Sequence, residues 1–405
     1  MNAPPDRGDA ALTVLSVNAG SSTLKFALHP LCDGTVQRGA LSGCIQGLEP
    51  GGAPYLQWSD GVDSATKTLA ASAGDTFGPA LNALQDLLHV RGLERSVVAV
   101  AHRVVHGGEH YRSAVRVDEA VLRELATLEP LAPLHQPQNL RGIRAFAQAF
   151  ATVPQVACFD TAYHATLDAV QSDFALPQAL RAQGIRRYGF HGLSYQYVIS
   201  ALQRHSQRAA DRVLMAHLGN GASVCAAHQG HSIATSMGFS ALDGLMMGTR
   251  SGALDPGVLL YLLEQGWDHD RLQSLLYRES GLLGVSGISA DMRRLRADSS
   301  ASATHAVAMF TQRVLREMGA MMSSLQGLDV LAFSGGIGEH DVTLRHDLCS
   351  RLAWLGLRLD DAANQRADGR AVTAIHAPDS NIEIWVVPTD EGWVAAREAA
   401  ALLGL

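Results

Sequence analysis

The sequence has little of what marks nucleic-acid binders and membrane proteins. Its 405 residues include 32 Lys and Arg against 39 Asp and Glu, which gives a net charge of −7 at pH 7, and they contain no Lys/Arg run of the kind that nucleic-acid binders carry. A mildly acidic surface disfavours binding to nucleic acid or to an anionic membrane. No apolar run reaches the length of about 20 residues that a membrane-spanning helix needs. We therefore expect neither a nucleic-acid partner nor a membrane segment.

Cysteine and several familiar motifs are also scarce or missing. The five cysteines are scattered and form no C-x-x-C pair, which favours reduced thiols over a zinc site or a disulfide framework. Residues 1–10 lack the apolar centre of a secretion signal, so we expect a frayed tail and a cytoplasmic location. The motifs of P-loop enzymes, Rossmann dehydrogenases, H-E-x-x-H metal sites and G-x-S-x-G hydrolases do not occur, which argues against those classes.

What the chain does contain is a pattern of apolar runs interrupted by glycine. A chain of this length exceeds one ordinary core, so two domains are expected. Residues 13–28 hold two β-rich apolar runs separated by small residues, which predicts a hairpin, and residues 213–226 repeat that outline. Two similar hairpins far apart in the chain indicate two related domains.

Between and after these hairpins, helical and extended patterns alternate, as is typical of α/β proteins. Apolar spacing predicts helices over 77–90, 118–127, 139–150, 256–263, 303–325 and 391–403, and strands over 96–105, 153–159, 330–333 and 382–387. Asp118 is the predicted N-cap of its helix, because a short side-chain oxygen can accept a hydrogen bond from the first helical turn.

Three glycine-rich turns each follow an apolar run: NAGSST (18–23), LGNGAS (218–223) and SGGIGE (334–339). Backbone amides at such turns point at anions, and the missing side chains let a phosphate come close. One such turn is more often an ordinary hairpin. Three in one chain, each rich in Ser, Thr or Asn, favour phosphate binding.

Nine segments resemble, in order, the signatures of the acetate kinase family. They are NAGSSTLKF (18–26), HRVVHGGE (102–109), CFDTAYH (158–164), RRYGFHGLS (186–194), HLGNGAS (217–223), TSMGFSALDGLMMGTRSG (235–252), SGISADMR (286–293), FSGGIGE (333–339) and TDEGWVAARE (389–398). The resemblance covers nearly the whole chain. It implies an α/β protein with two duplicated domains of the actin-like ATPase (ribonuclease H-like) fold and an interdomain active-site cleft. We expect the domains at 11–160 plus 391–405 and at 161–390.

The resemblance also implies an activity: reversible, direct in-line transfer of the γ-phosphoryl group of ATP to acetate, giving acetyl phosphate and ADP. It implies ATP and Mg²⁺, with Mn²⁺ as a substitute, acetate or another short-chain carboxylate as the acceptor, and a homodimer. A carboxylate acceptor has a pKa of about 4 and is ionised at pH 7, so it needs no general base. The site must instead supply positive charge that lets two anions meet.

The resemblance assigns catalytic roles to Arg103, Asp160, His191 and Arg250. Forked guanidinium groups can hold a carboxylate or phosphoryl oxygens bidentately, although a surface ion pair would also use an arginine. His191, with glycines close by that leave it poorly covered, is expected to stabilise the transferring phosphoryl group; the alternative is a structural histidine. Asp160 follows a predicted strand and is expected near the metal, with a turn-capping role as the alternative.

The remaining site residues also come from the resemblance. Asn18 and Glu391 are expected at the metal, which keeps several waters and few protein ligands, while Glu391 would also suit a helix N-terminus. Ser21 and Thr23 would complete the first phosphate loop. The nucleotide would be held by Lys25, His217, Gly219, Asn220, Gly221, Asp291, Met292, Arg293, Gly335, Gly336, Ile337 and Gly338. A solvent-facing strand lysine is the alternative for Lys25, and bracing of the hairpin is the alternative for His217.

Val105, Leu134 and Phe190 are assigned to the acyl pocket, with core packing as the alternative. Ala241 stands where the family usually carries proline, and the smaller side chain could widen the pocket. A propionate or butyrate kinase with the same mechanism is therefore the alternative function. A non-catalytic nucleotide-binding protein of the superfamily would keep the glycine loops and lose the two arginines and His191, all of which are present.

Overall fold

The computed structural model describes residues 11–20, 22–49, 51–70 and 77–405. The expected frayed tail at 1–10 and Ser21 of the first predicted phosphate loop lie outside the described residues. The chain divides into two compact units: the first holds the described residues up to Ala162 together with Asp390–Leu405, and the second is Tyr163–Thr389.

The strands are, in chain order, β1 (Thr13–Ala19), β2 (Thr23–Cys32), β3 (Thr35–Val36), β4 (Leu41–Gln46), β5 (Tyr55–Ser59), β6 (Ser64–Thr68), β7 (Val97–Val104), β8 (Val115–Arg116), β9 (Gln155–Phe159), β10 (Arg212–Leu218), β11 (Ala222–His228), β12 (His231–Thr235), β13 (Val330–Ser334), β14 (Thr373–Ala374) and β15 (Glu383–Val386).

The α-helices are α1 (Gly78–Val90), α2 (Glu119–Thr127), α3 (Gln136–Ala149), α4 (Ala169–Ser172), α5 (Gln178–Arg181), α6 (Gly192–Leu202), α7 (Pro256–Glu264), α8 (His269–Ser274), α9 (Gly281–Ser286), α10 (Met292–Ala297), α11 (Ala301–Leu325), α12 (Gly335–His340), α13 (Val342–Arg351), α14 (Asp361–Arg366) and α15 (Glu391–Leu403). Short 3₁₀ helices lie at Glu94–Ser96, Glu129–Leu131, Ala162–Thr166, Gln207–Ala210 and Ala353–Leu355, and a π-helical turn lies at Leu275–Glu279.

A sheet of nine strands, counted over the described residues, forms the centre of the first unit. Its order is β6-β5-β4-β2-β1-β7-β9-β8, and β3 pairs with β2. Leu15 and Val17 of β1 pack in one core cluster with Leu84 of α1 and Phe146 of α3. Ser16 points to the opposite face, because side chains alternate along a strand, and there it meets Gly392 of α15. Helices therefore cover both faces of β1.

The second unit contains a sheet with the order β12-β11-β10-β13-β15-β14. In this sheet β10 is antiparallel to β11 and parallel to β13, and β13 is parallel to β15. The strands β4-β2-β1-β7-β9-β8 of the first unit follow the same order and the same directions. The two units are thus duplicates of one α/β topology, which confirms the predicted α/β class with two duplicated domains.

Most predicted elements are present, with two instructive differences. Both hairpins are confirmed, and Asp118 caps α2 by accepting a hydrogen bond from the Val121 amide at 2.8 Å. The predicted glycine turn SGGIGE is wrong, because Gly335 begins the short helix α12 directly after β13. Helix α3 begins at Gln136 rather than 139, since Pro137 is tolerated in a first helical turn.

No helix in the described part of the chain is both long and apolar enough to cross a membrane.

Candidate active site

The carboxyl ends of β1, β7 and β9 meet at one edge of the first unit's sheet, because these neighbouring strands run parallel. Asn18 and Arg103 are the penultimate residues of β1 and β7, and Asp160 directly follows β9. The register places Ser16 beside Ala101, so Asn18 and Arg103 project from the same face of the sheet. This is the face on which α15 packs.

Two carboxylates hold the Arg103 guanidinium. Its Nε donates to Oδ1 of Asp160 at 3.0 Å and its Nη2 to Oδ2 at 2.7 Å, while Nη1 lies 2.7 Å from Oε2 of Glu391. Burial alone would lower the pKa of Arg103, but Asp160 and Glu391 raise it, so the net pKa lies above the usual range. These contacts occupy Nε–H and one hydrogen on each terminal nitrogen. A guanidinium has five N–H groups, so among the described residues the second hydrogen on each terminal nitrogen is left for a ligand.

Glu391 reaches Arg103 because α15 approaches β1 very closely. A Cβ atom at Gly392 would lie only 2.7 Å from Oγ of Ser16. The helix start is also fixed by Asp390, which accepts a hydrogen bond from the Trp393 amide at 2.9 Å. The Glu391 carboxylate therefore both faces Arg103 and complements the helix N-terminus, so the two readings of this residue are compatible.

Asn139 is a site residue that sequence reasoning missed. Its Nδ2 donates to the Ala19 carbonyl at 2.9 Å, and its Oδ1 accepts the Val105 amide hydrogen at 3.0 Å. The side chain thus joins the end of β1 to the end of β7 and sets the spacing between the NAGSST loop and the strand that carries Arg103. A single Asn inside a predicted helix gives no sequence signal for such distant partners.

The other predicted residues of the first unit lie at less constrained positions. Lys25 is exposed on β2 opposite Asn18, and it lines an open groove with Cys44 and Gln57. This position also fits the alternative of a solvent-facing lysine. Val105 and Leu134, assigned to the acyl pocket, are partly buried.

In the second unit, two histidines stack on each other. The ring centroids of His191 and His217 lie 4.3 Å apart with an angle of 27° between the planes. His191 is only 9% exposed, so the expectation of a poorly covered ring is wrong. Its φ of +59° is in the left-handed region, which residues other than glycine rarely adopt and which is often found at functional sites.

A third histidine, His164, fixes the backbone of the segment that precedes His191. Burial lowers the pKa of His164 to about 4, so this ring is neutral. Its Nε2 lies 2.9 Å from the Phe190 carbonyl and its Nδ1 lies 2.8 Å from Oγ of Ser232. A carbonyl can only accept, so Nε2 of His164 donates and the backbone next to His191 is fixed.

The Nε2 atom of His191 and a guanidinium nitrogen of Arg250 face the same space above the LGNGAS loop. A Cβ atom at Gly221 would lie 3.3 Å from Nε2 of His191 and 4.0 Å from Nη1 of Arg250. Any larger residue at position 221 would therefore fill the space between these two groups. The Nδ1 atom of His191 points away from this space and lies 2.8 Å from Oγ of Ser223.

Arg250 differs from Arg103 in its partners. Its Nη1 donates to the Ala241 carbonyl at 3.2 Å, and no carboxylate of the described residues forms a salt bridge with it. Burial lowers its pKa, and Tyr277 only partly offsets this effect. Arg250 is partly buried, and a partly desolvated cation without a carboxylate partner is less stable until an anion binds. The arrangement is therefore suited to binding an anion.

The two glycine-rich segments of the second unit lie side by side. A Cβ atom at Gly219 would lie 3.8 Å from the Gly336 nitrogen, and one at Gly335 would lie 2.7 Å from the Leu218 carbonyl. Fully buried Arg345, which sequence reasoning missed, holds the far end of α12 by donating to the carbonyls of Gly338 and Glu339 at 2.9 and 2.7 Å. The predicted residues Gly219, Gly221, Gly335, Gly336, Ile337 and Gly338 are thus brought together.

The predicted adenosine stretch begins at α10. Asp291 caps this helix through the Arg293 amide at 2.9 Å and pairs with the Arg293 side chain at 2.8 Å. Met292 is only 3% exposed. Gly248 connects this stretch to Asn220, because a Cβ atom at Gly248 would lie 1.8 Å from Oδ1 of Asn220 and 3.4 Å from the Ala290 carbonyl.

Phe190 and Ala241, the two acyl-pocket residues predicted in the second unit, are both buried. Their side chains therefore fit the alternative of core packing as well as the predicted pocket.

The duplicated sheets, each with a hairpin beside parallel strands, define a two-domain α/β protein of the actin-like ATPase fold. The sequence profile of the acetokinase family matches residues 13–397. The acetate kinase of Rhodopseudomonas palustris is 45% identical over 392 residues, covering 95% of this chain and 96% of that protein. That of Methylocella silvestris is 44% identical over 400 residues, covering 96% and 98%. The chain therefore belongs to the acetokinase family.

Solved structures agree with this assignment. A propionate kinase from Francisella tularensis superposes with a TM-score of 0.88 at 34% identity, covering 96% of this chain and 99% of that one. The acetate kinase of Porphyromonas gingivalis superposes with a TM-score of 0.85 at 33% identity, covering 97% and 100%. The predicted family is confirmed, whereas the roles of individual residues stay predictions.

Proposed function

We propose that this protein transfers the γ-phosphoryl group of ATP to acetate, reversibly and in line, giving acetyl phosphate and ADP. The observation that carries the proposal is the pair of donors above Gly221. Arg250 is a partly buried cation that forms no salt bridge within the described residues, and its Nη1 faces the same space as Nε2 of His191. The acetate kinases at 44–45% identity support acetate as the acceptor.

Phosphoryl transfer between two anions needs fixed positive charge and oriented donors more than it needs proton transfer. Arg250 supplies a charge that is already partly desolvated, so it attracts phosphoryl oxygens more strongly than a fully exposed arginine would. His191 supplies an N–H donor held in place by its left-handed backbone and by the Ser223 hydroxyl. Preorganised donors of this kind stabilise the charge of the transition state without reorganising during the reaction.

Arg103 is a second cation, and unlike Arg250 it pairs with carboxylates. Asp160 and Glu391 fix its orientation, and one N–H on each terminal nitrogen remains to hold the acetate carboxylate or a phosphoryl oxygen. In this proposal Asp160 acts first by positioning Arg103, and its further role near the metal remains a prediction.

A divalent metal fits the oxygen donors at the edge of the first sheet. The described residues contain no group of three or more His, Cys, Asp or Glu side chains arranged to hold an ion. This sparse set suits Mg²⁺, which usually takes one or two carboxylates together with substrate phosphates and waters. Glu391 and the Asn18 carboxamide would hold the ion, and Mn²⁺ accepts similar oxygen ligands. When bound, Mg²⁺ would neutralise charge on the phosphate oxygens.

We assign the nucleotide to the glycine segments of the second unit. His217 and the loop residues Gly219, Asn220 and Gly221 would contact the phosphates, and Asp291–Arg293 with Gly335–Gly338 would contact adenosine. The adjacency of these segments supports the assignment. Lys25 is the predicted phosphate contact from the first unit.

Propionate is the second candidate acceptor. Ala241 is a small buried residue, and its carbonyl accepts a hydrogen bond from Arg250. The likeness to a propionate kinase at 34% identity also favours testing this acid. Butyrate, the four-carbon acid, is the third acid to test. In an apolar pocket each added methylene changes the free energy of discrimination between substrates by only about 1–3 kcal/mol.

The experiment that tests the function is acyl phosphate formation from Mg-ATP, with the product trapped as the hydroxamate. We expect the highest kcat/KM with acetate. A maximum with propionate or butyrate would keep the mechanism and change the substrate. No product with any of the three acids, together with tight ATP binding, would refute the enzymatic function.

Helix α7 supports the proposed homodimer. None of its residues is buried, and Leu260, Tyr261 and Leu263 are 63%, 59% and 49% exposed. Contiguous exposed apolar residues often mark an interaction surface. A Leu260→Glu/Tyr261→Ser variant should sediment as a monomer if this helix forms the dimer contact.

A cytoplasmic location is proposed from the scattered cysteines, which are all free thiols.

A further inference from the structure

A buried chain of hydroxyl groups runs behind His191. The Tyr195 hydroxyl makes a short hydrogen bond with Oγ of Ser223, and this Oγ lies 2.8 Å from Nδ1 of His191. Tyr195 and Ser223 are fully buried, and neither belongs to the site residues described by the resemblance. Because water does not reach these hydroxyls, each proton must go to one of the groups in the chain.

The partners of Tyr195 set the direction of this chain. Within the described residues, Ser223 is the group that can accept the Tyr195 proton. If Ser223 donated to Tyr195 instead, the tyrosine proton would be buried without an acceptor, which is unfavourable. Tyr195 therefore donates to Ser223.

Ser223 has one proton, so it donates that proton to His191. An Nδ1 atom that accepts a hydrogen bond carries no hydrogen, and the hydrogen of a neutral imidazole is then on Nε2. This Nε2 atom faces the space above Gly221. The serine and the tyrosine thus place the imidazole hydrogen on the side where the proposed phosphoryl group would lie.

We propose that Tyr195 and Ser223 are positioning residues that hold His191 neutral, with its hydrogen on Nε2, as a preset donor to the phosphoryl group. The proposal rests on the proposed function, in which His191 donates to the transferring group. The opposite tautomer would present a lone pair to phosphoryl oxygens and would repel them. Fixing the tautomer in advance therefore removes a reorganisation step from the reaction.

The test is nitrogen-15 NMR of histidine-labelled protein, with the His191 signals assigned from a His191→Gln variant. In the unmodified protein we expect a hydrogen on Nε2 and none on Nδ1 at neutral pH. Ser223→Ala should produce a mixture of tautomers, and Ser223→Thr, which keeps a hydroxyl, should restore the single tautomer. Tyr195→Phe should shift the Nδ1 signal in the same direction as Ser223→Ala. Tyr163→Phe is the matched control, because its hydroxyl donates to the Gly230 carbonyl and not to this chain.

Kinetics give the second readout. Ser223→Ala should lower kcat about 10- to 100-fold, less than the roughly 10²- to 10³-fold expected for losing a transition-state donor, with the KM for acetate little changed. Nδ1–H or imidazolium in the unmodified protein, or an unchanged tautomer in both Ser223→Ala and Tyr195→Phe, would overturn the proposal. Full activity of His191→Gln alongside the expected tautomer would instead refute the assigned role of His191.

Discussion

Replacing Arg103 by alanine should lower stability as well as turnover. The change removes the cation that separates Asp160 from Glu391, and the side chain of Asp160 is only 2% exposed. Removing one partner of a buried pair typically costs about 3–5 kcal/mol, because the other charge is left uncompensated. Most domains are stable by only about 5–15 kcal/mol. A loss of activity in Arg103→Ala therefore cannot be assigned to catalysis without a stability measurement.

Urea unfolding of four proteins checks this reasoning: the unmodified chain, Arg103→Ala, Asp160→Asn and the double variant. The double variant should recover much of the stability lost in Arg103→Ala, because position 160 then carries no buried carboxylate that has lost its ion pair with Arg103, yet it should stay inactive. The coupling free energy of the cycle should be clearly above zero. Equal stability of Arg103→Ala and the unmodified protein at pH 7 would refute the argument.

Three further predictions follow from the second unit. Arg250→Ala should lower kcat by about 100-fold or more with a nearly unchanged melting temperature, since no carboxylate of the described residues loses a salt bridge with it; a large drop in melting temperature would contradict the anion-binding role. Gly221→Ala should lower kcat while the protein stays folded by circular dichroism, because the new methyl group would lie 3.3 Å from Nε2 of His191; normal turnover would show that this space is not used. Ala241→Pro should lower the propionate-to-acetate ratio of kcat/KM, and an unchanged ratio would remove Ala241 from the pocket.

The sequence by itself was sufficient for the local elements and for the family. The hairpins at 13–28 and 213–226 and the cap at Asp118 depend on neighbouring residues and on alternation along a strand, so they are visible in a single sequence. The order of the family segments was equally readable, and the family profile matches residues 13–397. The helix at SGGIGE was misread because several glycines in succession favour a turn when no tertiary contact is known.

Only the tertiary structure decided how the site residues are paired. Arg103 and Arg250 look alike in sequence, yet one is held by two carboxylates and the other forms no salt bridge within the described residues. Likewise, the serine that orients His191 lies on a different strand from the histidine's own segment. Charge pairing, hydrogen-bond direction and burial depend on which groups contact each other in the folded protein. Those contacts arise from strand register and close packing rather than from the neighbours of a residue along the chain.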